Sequence, residues 1–206
     1  MKRYVFETSR LLFREFTMAD ARLLWELDGD PAVMRHISKG RPTSLESICG
    51  EILPRWLRYY QLYQGLGYWA MHQRERGEFM GWIHLKPYLN RVDTLELGYR
   101  LHRRFWGSGY ATEATRAWVD RAFERPETQC VVGTTLIANF ASRRVLQRAG
   151  LSKESNFLYE TSLLPGWSEE ERRAVRYTLD RPRYERRLAR ALELRLASEM
   201  AAQAGR

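Results

Sequence analysis

Arg104-Phe105-Trp106-Gly107-Ser108-Gly109-Tyr110-Ala111-Thr112-Glu113-Ala114 decides how the rest of the chain is read. An alternating strand pattern enters this stretch, two glycines interrupt it, and alanine-rich helical periodicity leaves it, so it is a strand-loop-helix joint. A helix that starts after such a loop presents unpaired N–H groups and the positive end of its dipole there. Gly107 and Gly109 carry no side chains that would keep a phosphate from those N–H groups. Arg103 and Arg104 add fixed positive charge on the entry side. The plain alternative is a glycine turn ahead of a surface helix. A Walker loop is excluded, because no Gly-Lys pair occurs. A dinucleotide fingerprint needs a small residue where Thr112 stands and an acid where the next strand ends at Thr134 to Ile137.

The loop fits the pattern Arg/Gln-x-x-Gly-x-Gly/Ala and resembles the pyrophosphate loop of the GNAT superfamily of acyl-CoA-dependent N-acyltransferases. With Glu96-Leu97-Gly98-Tyr99 upstream, it looks most like the branch of ribosomal-protein-alanine N-acetyltransferases (RimJ/RimL-like). The resemblance covers about residues 8 to 180. Its second anchor is Asn139-Phe140-Ala141-Ser142-Arg143-Arg144-Val145-Leu146, ending at Gly150-Leu151. It implies an α/β fold whose mixed, mostly antiparallel sheet is flanked by helices. It implies acetyl-CoA as co-substrate, with no metal, and direct attack by an amine within a ternary complex. By the same resemblance, the pantetheine arm lies between the strands starting at Thr94 and Cys130. Leu101, Arg104, Trp106, Gly107, Ser108, Gly109, Tyr110, Ala111 and Asn139 are expected to bind the cofactor.

The 206 residues are enough for one full core, and 44% apolar content excludes wholesale disorder. Residues 1–180 read as the acyltransferase domain and 181–206 as a basic amphipathic C-terminal helix. The net charge of +9 raises the question of nucleic acid. Seven Arg against three Glu in residues 181–206 place +4 of that charge in the tail. The body is only mildly basic, which suits a polyanionic coenzyme, so nucleic acid is the minor expectation. No apolar leader follows Met1-Lys2-Arg3 and no apolar run of about 18 residues occurs, so a cytoplasmic protein without membrane partners is expected. Cys49 and Cys130 are too few for a disulfide framework and read as buried thiols.

Arg10 to Phe16 reads as a strand, with N-cap chemistry at Thr17 to Asp20 for a helix to about Asp28. From Thr43, apolar residues recur at three and four as far as Tyr63, with Thr43-x-x-Glu46 as a capping box and Pro54 expected to kink or split the helix. Gly67 to Gln73 and Phe79 to Leu85 read as an antiparallel hairpin turning at Gly77. In Thr94 to Leu101, the residues Leu95, Leu97, Tyr99 and Leu101 share one face, and Glu96 stands on the other. Ala111, Ala114, Trp118 and Ala122 mark the inner side of the helix after the loop. Cys130 to Ile137 reads as a buried strand and Asn139 to Arg148 as a helix ended by Gly150. Strands at about 151–162 and 172–179 follow around Leu164-Pro165-Gly166. In the tail, Tyr184, Leu188, Leu192, Leu196 and Met200 recur every four residues. The chain's own fold is the first expected cover for that stripe, and a second copy of the chain is the next.

No zinc spacing, nucleophile elbow or Cys-His pairing is visible, which favours direct attack over a covalent enzyme intermediate. Glu96 is the first candidate for general base, with a pKa that burial beside the thioester would raise; Glu160 is the alternative. Many members of the resembled family carry a thiolate-protonating tyrosine where this chain has Leu146. The resemblance to the ribosomal-protein branch implies that Ser142 protonates or hydrogen-bonds the sulfur, with plain helix packing as the alternative. The resemblance implies that the first helices and the last hairpin wall the acceptor site, which makes Trp56, Tyr59, Tyr60, Trp69, His84, Tyr159 and Trp167 candidates to line it, with core packing as the plain alternative; the acceptor amine is either a protein N-terminus or a small molecule. Two rival readings are a CoA-binding module without turnover and a nucleic-acid-associated factor recruited through residues 181–206.

Overall fold

The computed structural model describes residues 4–204. Strands β1 (Phe6–Glu7) and β2 (Leu11–Glu15) lead into helices α1 (Ala21–Asp28) and α2 (Pro31–Ser38). A long helical stretch follows as α3 (Leu45–Ser47), a π-helical segment (Ile48–Ile52) and α4 (Leu53–Leu62). Next come β3 (Gly67–Gln73), β4 (Phe79–Tyr88), β5 (Arg91–Leu101), α5 (Tyr110–Phe123), β6 (Cys130–Leu136) and α6 (Phe140–Arg148). The chain closes with β7 (Ser152–Leu158), α7 (Glu169–Arg172), β8 (Arg173–Asp180) and α8 (Arg181–Ala204).

The strands form one sheet in the order β1-β2-β3-β4-β5-β6-β8-β7. Among the described residues every neighbouring pair is antiparallel except β5 and β6. Apolar side chains alternate along the strands, so each face carries its own core. On one face Phe13, Trp69, Met71, Ile83, Leu95 and Leu97 pack against Trp118, Val119 and Ala122 of α5 and Leu146 of α6. On the other, Ala70, Phe79 and Trp82 meet Leu24, Leu27, Ile48, Leu53 and Trp56 from the first helices. The mixed, mostly antiparallel sheet flanked by helices is the architecture expected from the sequence.

Several local expectations are corrected. Helix α2 was not anticipated, although the Asp30 side chain accepts from Ala32 N and Pro31 opens the helix. The cap before α3 is Ser44, which accepts from Ser47 N, whereas Thr43 donates to Asp28 instead. Pro54 does not split the helix; it falls in the first turn of α4, just after the π-helical segment. β4 and β5 run further than expected, to a two-residue turn at Leu89 and Asn90 with φ of 49° and 61°. Cys49 is exposed and Cys130 half-buried, so neither is a core thiol.

α8 docks on the domain only at its start. Arg181 donates to the carbonyls of Phe123, Arg125 and Thr128, and Tyr184 stacks on Phe123 at 4.3 Å. Beyond Arg187, which donates to Ala149 O, the apolar stripe is open: Leu192 is 58% exposed and Met200 70%. The chain's own fold therefore covers the stripe at Tyr184 and leaves it open from Leu188 on.

Candidate active site

The glycine loop follows β5 and a single 3-10 turn at Arg103–Phe105. Gly107 and Gly109 have φ of 76° and 81°, left-handed values that glycine adopts at little cost. Gly109 is the N-cap of α5, and its carbonyl accepts from Glu113 N. The N–H groups ahead of Glu113 in that turn have no acceptor within the helix. A Cβ added at Gly107 would meet no atom within 4 Å, so the space above the loop is open. It belongs to a cleft of about 270 Å³ lined by Leu101, Phe105, Trp106, Gly107, Gly109, Tyr110, Ala111 and Thr112 on one side and Ala141, Arg144, Val145 and Arg148 on the other. A diphosphate fits this combination of open backbone donors, helix dipole and cations.

The cations differ from those expected. Arg104 turns to Glu78 at 2.7 Å and lies over the Phe105 ring, outside the cleft lining. Arg144 and Arg148 of α6 take that place; their four-residue spacing, on one side of a helix that starts at the second anchor, was the available signal. Ser108 contributes its carbonyl to Arg10, and the Trp106 indole N–H donates to Leu101 O at 3.0 Å, which braces the loop. Glu113 holds the helix start to the beginning of the chain. It accepts from Thr8 Oγ1, Ser9 Oγ, Arg10 N and Arg10 Nε at 2.6 to 3.1 Å. Burial opposes ionisation of Glu113, yet these bonds keep its pKa below the usual range.

The parallel β5–β6 ladder has its rungs at Thr94–Cys130, Leu95–Val131 and Glu96–Val132, while β5 continues to Leu101 and β6 to Leu136. Past Glu96 the two strands part, leaving an opening that runs toward the glycine loop. Asn139 caps α6 by accepting from Ser142 N at 3.1 Å. The Tyr99 hydroxyl stands 3.5 Å from Ser142 Oγ, and burial pushes the phenol up to about 12. Tyr99 was read only as part of an apolar row. Leu146 is buried against Gly133, where an added Cβ would come within 2.5 Å of its Cδ2.

Glu96 projects from the last rung to the opposite face. It meets Lys86 Nζ at 2.7 Å and accepts from Thr134 Oγ1 at 3.4 Å, and Thr134 accepts in turn from the Tyr159 hydroxyl. Burial works against its charge, but His84, the Lys86 ammonium and these hydrogen bonds outweigh it, so its pKa is lowered. The expected rise is therefore corrected: the ion pair wins over desolvation. Burial drives His84 down to about 3, so at neutral pH the standing charge beside Glu96 is that of Lys86. Glu160 is exposed beyond β7 and is engaged by Ser162.

Of the aromatic candidates, Trp56 stacks on Tyr68 at 4.2 Å, and Tyr68 meets His84 edge-on at 5.0 Å, next to Glu96. Tyr59 contacts Tyr68 at 5.9 Å. The Tyr60 hydroxyl ties Phe16 N to Tyr68 O, a structural role. Trp69 is core on the other face, 4.0 Å from Trp118, and Trp167 packs with Lys39.

The family profile of the acetyltransferase (GNAT) domain matches residues 10–152. The chain belongs to the GNAT acetyltransferase family. It is 36% identical over 178 residues to FsC-acetyl coenzyme A-N(2)-transacetylase of Aspergillus fumigatus, covering 82% of this chain and 69% of that one. The aminoglycoside acetyltransferase AAC(6')-Ib in complex with coenzyme A superposes with a TM-score of 0.68 at 18% identity, covering 85% of this chain and 96% of that one. RimL, a ribosomal alpha-N-protein acetyltransferase in complex with coenzyme A, does so with a TM-score of 0.70 at 16% identity, covering 86% and 98%. These two likenesses concern the fold. This GNAT protein is an acetyl-CoA-dependent N-acetyltransferase. Among the described residues no His, Cys, Asp and Glu cluster could hold a metal ion, and no helix is long and apolar enough to cross a membrane.

Proposed function

We propose that this GNAT protein moves the acetyl group of acetyl-CoA to a primary amine by direct attack within a ternary complex. The observation that carries this reading is the β5–β6 opening, which has the glycine-loop cleft at one end and Glu96 at its apex. The N–H groups of the α5 start, with Arg144 and Arg148, hold the diphosphate; the parted strands take the pantetheine arm; Asn139 borders that path. Bound acetyl-CoA supplies the activated acyl group, and most of the acceleration comes from holding it against the amine.

Glu96 holds the acceptor's ammonium and receives its proton on the way to solvent, freeing the nitrogen lone pair to attack the thioester carbon. As the new C–N bond forms the C–S bond breaks, and the second nitrogen proton ends on sulfur. Ser142 and Tyr99 steady the departing sulfur by hydrogen bonding. Tyr99, at about 12, lies about 3.5 pKa units above an ordinary thiol, so full proton transfer from it would be uphill by about 5 kcal/mol. The acceptor classes are a protein N-terminal amine and a small-molecule amine, in keeping with relatives that act on FsC, aminoglycosides and a ribosomal protein.

Calorimetric titration with acetyl-CoA and amine-dependent thiol release test the proposal. Micromolar binding and turnover that falls at least about 100-fold in Glu96→Gln are expected. No binding at millimolar acetyl-CoA sinks it. A second reading, a CoA-binding module without turnover, is favoured by Leu146 being packed where the resembled family carries its acid. Amine-dependent thiol release from any acceptor removes that reading.

A further inference from the structure

Resting on the transferase reading, we propose that the acceptor is an α-aminoacyl compound, with a carbonyl oxygen beside its amine, and that Lys86 reads that oxygen. Lys86 and Glu96 are directly opposed on β4 and β5, and their side chains touch at 2.7 Å while only 24% and 21% exposed. Any amine that binds Glu96 as an ammonium competes with Lys86 for the same carboxylate. An acceptor made only of donors, such as a polyamine or a lysine side chain, sets a second cation beside the Lys86 ammonium at one half-buried carboxylate and offers it no acceptor in return, an arrangement that disfavours its binding. The Tyr68 and Tyr59 phenols lie near Lys86, but a phenol is a weaker acceptor for an ammonium than a carboxylate, and the other neighbours do not relieve this. His84 is neutral at pH 7 because burial depresses its pKa, Arg100 is itself a cation and is bound to Asp28, and the Tyr159 hydroxyl is directed to Thr134.

An α-aminoacyl group satisfies both members of the pair. With the amine syn to the carbonyl oxygen, standard bond lengths put the nitrogen and the oxygen about 2.8 Å apart. That spacing matches the 2.7 Å between Glu96 Oε2 and Lys86 Nζ, so the ammonium can donate to the carboxylate while the carbonyl accepts from Lys86. Amino acids, their esters and amides, and peptide N-termini share this unit; polyamines, lysine side chains and aminosugars lack it. The half-buried Tyr68 ring alongside, backed by Trp56, suits an apolar side chain on the acceptor's α-carbon.

Thiol release is measured with L-phenylalaninamide and with 2-phenylethylamine, which differ by the carboxamide, at matched concentrations of neutral amine. The panel is widened to polyamines and aminosugars. In the unaltered protein kcat/KM is expected to favour the amide at least about tenfold, equivalent to about 1.4 kcal/mol. Lys86→Met is expected to bring the ratio to within about threefold, mainly by loss with the amide, with acetyl-CoA affinity retained. A merely structural Lys86 would lower both substrates alike, and that result overturns the inference. So does a ratio near one in the unaltered protein, or turnover confined to carbonyl-free amines; either leaves the transferase reading standing. Absence of turnover with every amine in the panel defeats the transferase reading and this inference with it.

Discussion

Gly107→Ala separates the cost of folding the glycine loop from the cost of binding to it, because the molecule contains a matched control. Gly107 and Gly77 have φ of 76° and 65°, and at neither would an added Cβ meet an atom within 4 Å. Alanine in the left-handed region costs about 1 kcal/mol at either position. For a chain of this size, that lowers the melting temperature by about 2–4 °C. Gly77 lies in the β3–β4 hairpin loop, away from the cleft, whereas Gly107 lines it. A methyl group at 107 stands over the backbone donors and keeps a diphosphate from closing on them. Loss of one charge-assisted hydrogen bond, about 1.5–3 kcal/mol, corresponds to an affinity loss of about 10- to 150-fold. Scanning calorimetry and titration with acetyl-CoA read the two quantities independently. Equal melting shifts, with an affinity loss only for Gly107→Ala, are expected. Unchanged affinity in Gly107→Ala, or an equal loss in Gly77→Ala, would refute the placement of the phosphate.

Arg144→Glu and Arg148→Glu should each weaken acetyl-CoA binding about tenfold at low salt, with the difference shrinking near 0.5 M salt as screening takes over; titration at two ionic strengths checks this. His84 is buried neutral, with a pKa near 3 in the folded protein against 6.5 for the free side chain. The unfolded chain therefore binds the extra proton between about pH 6.5 and 3, and stability should drop as pH falls through that window by up to about 1.4 kcal/mol per unit. Urea unfolding at stepped pH should show this slope, and His84→Phe should flatten it. Asp20→Asn leaves Arg14, which is 5% exposed, without its bidentate partner and should cost about 3–5 kcal/mol in the same assay. Leu146→Tyr should also destabilise, by about 1–3 kcal/mol, because Gly133 leaves no room for the ring.

What could be read from the sequence was local. The glycine loop, the α5 periodicity, the alternation that set Glu96 opposite Leu95 and Leu97, and the helix starting at Asn139 each lie within a few consecutive residues. What could not be read depends on register and packing. Lys86 reaches Glu96 because β4 and β5 turn at Leu89 and Asn90, a pair without the usual glycine signal, and that contact, with His84 and Thr134, reverses the direction of the Glu96 pKa. Arg144 and Arg148 face the loop because α6 packs beside α5, a tertiary contact. Arg104 was credited with their part because it is adjacent in sequence, but the hairpin brings Glu78 to it. Tyr99 was absorbed into an apolar row; only the approach of Ser142 from α6 distinguishes it from its neighbours. The α8 stripe has a clear helical period, and periodicity cannot say what lies against it.

Because Glu113 collects Thr8, Ser9 and Arg10, residues 8–10 work as a strap across the start of α5. Fusing a purification handle close to Thr8 would tug on that strap, whereas α8 is exposed at Leu192 and Met200. Labels, immobilisation anchors and fusion partners belong there.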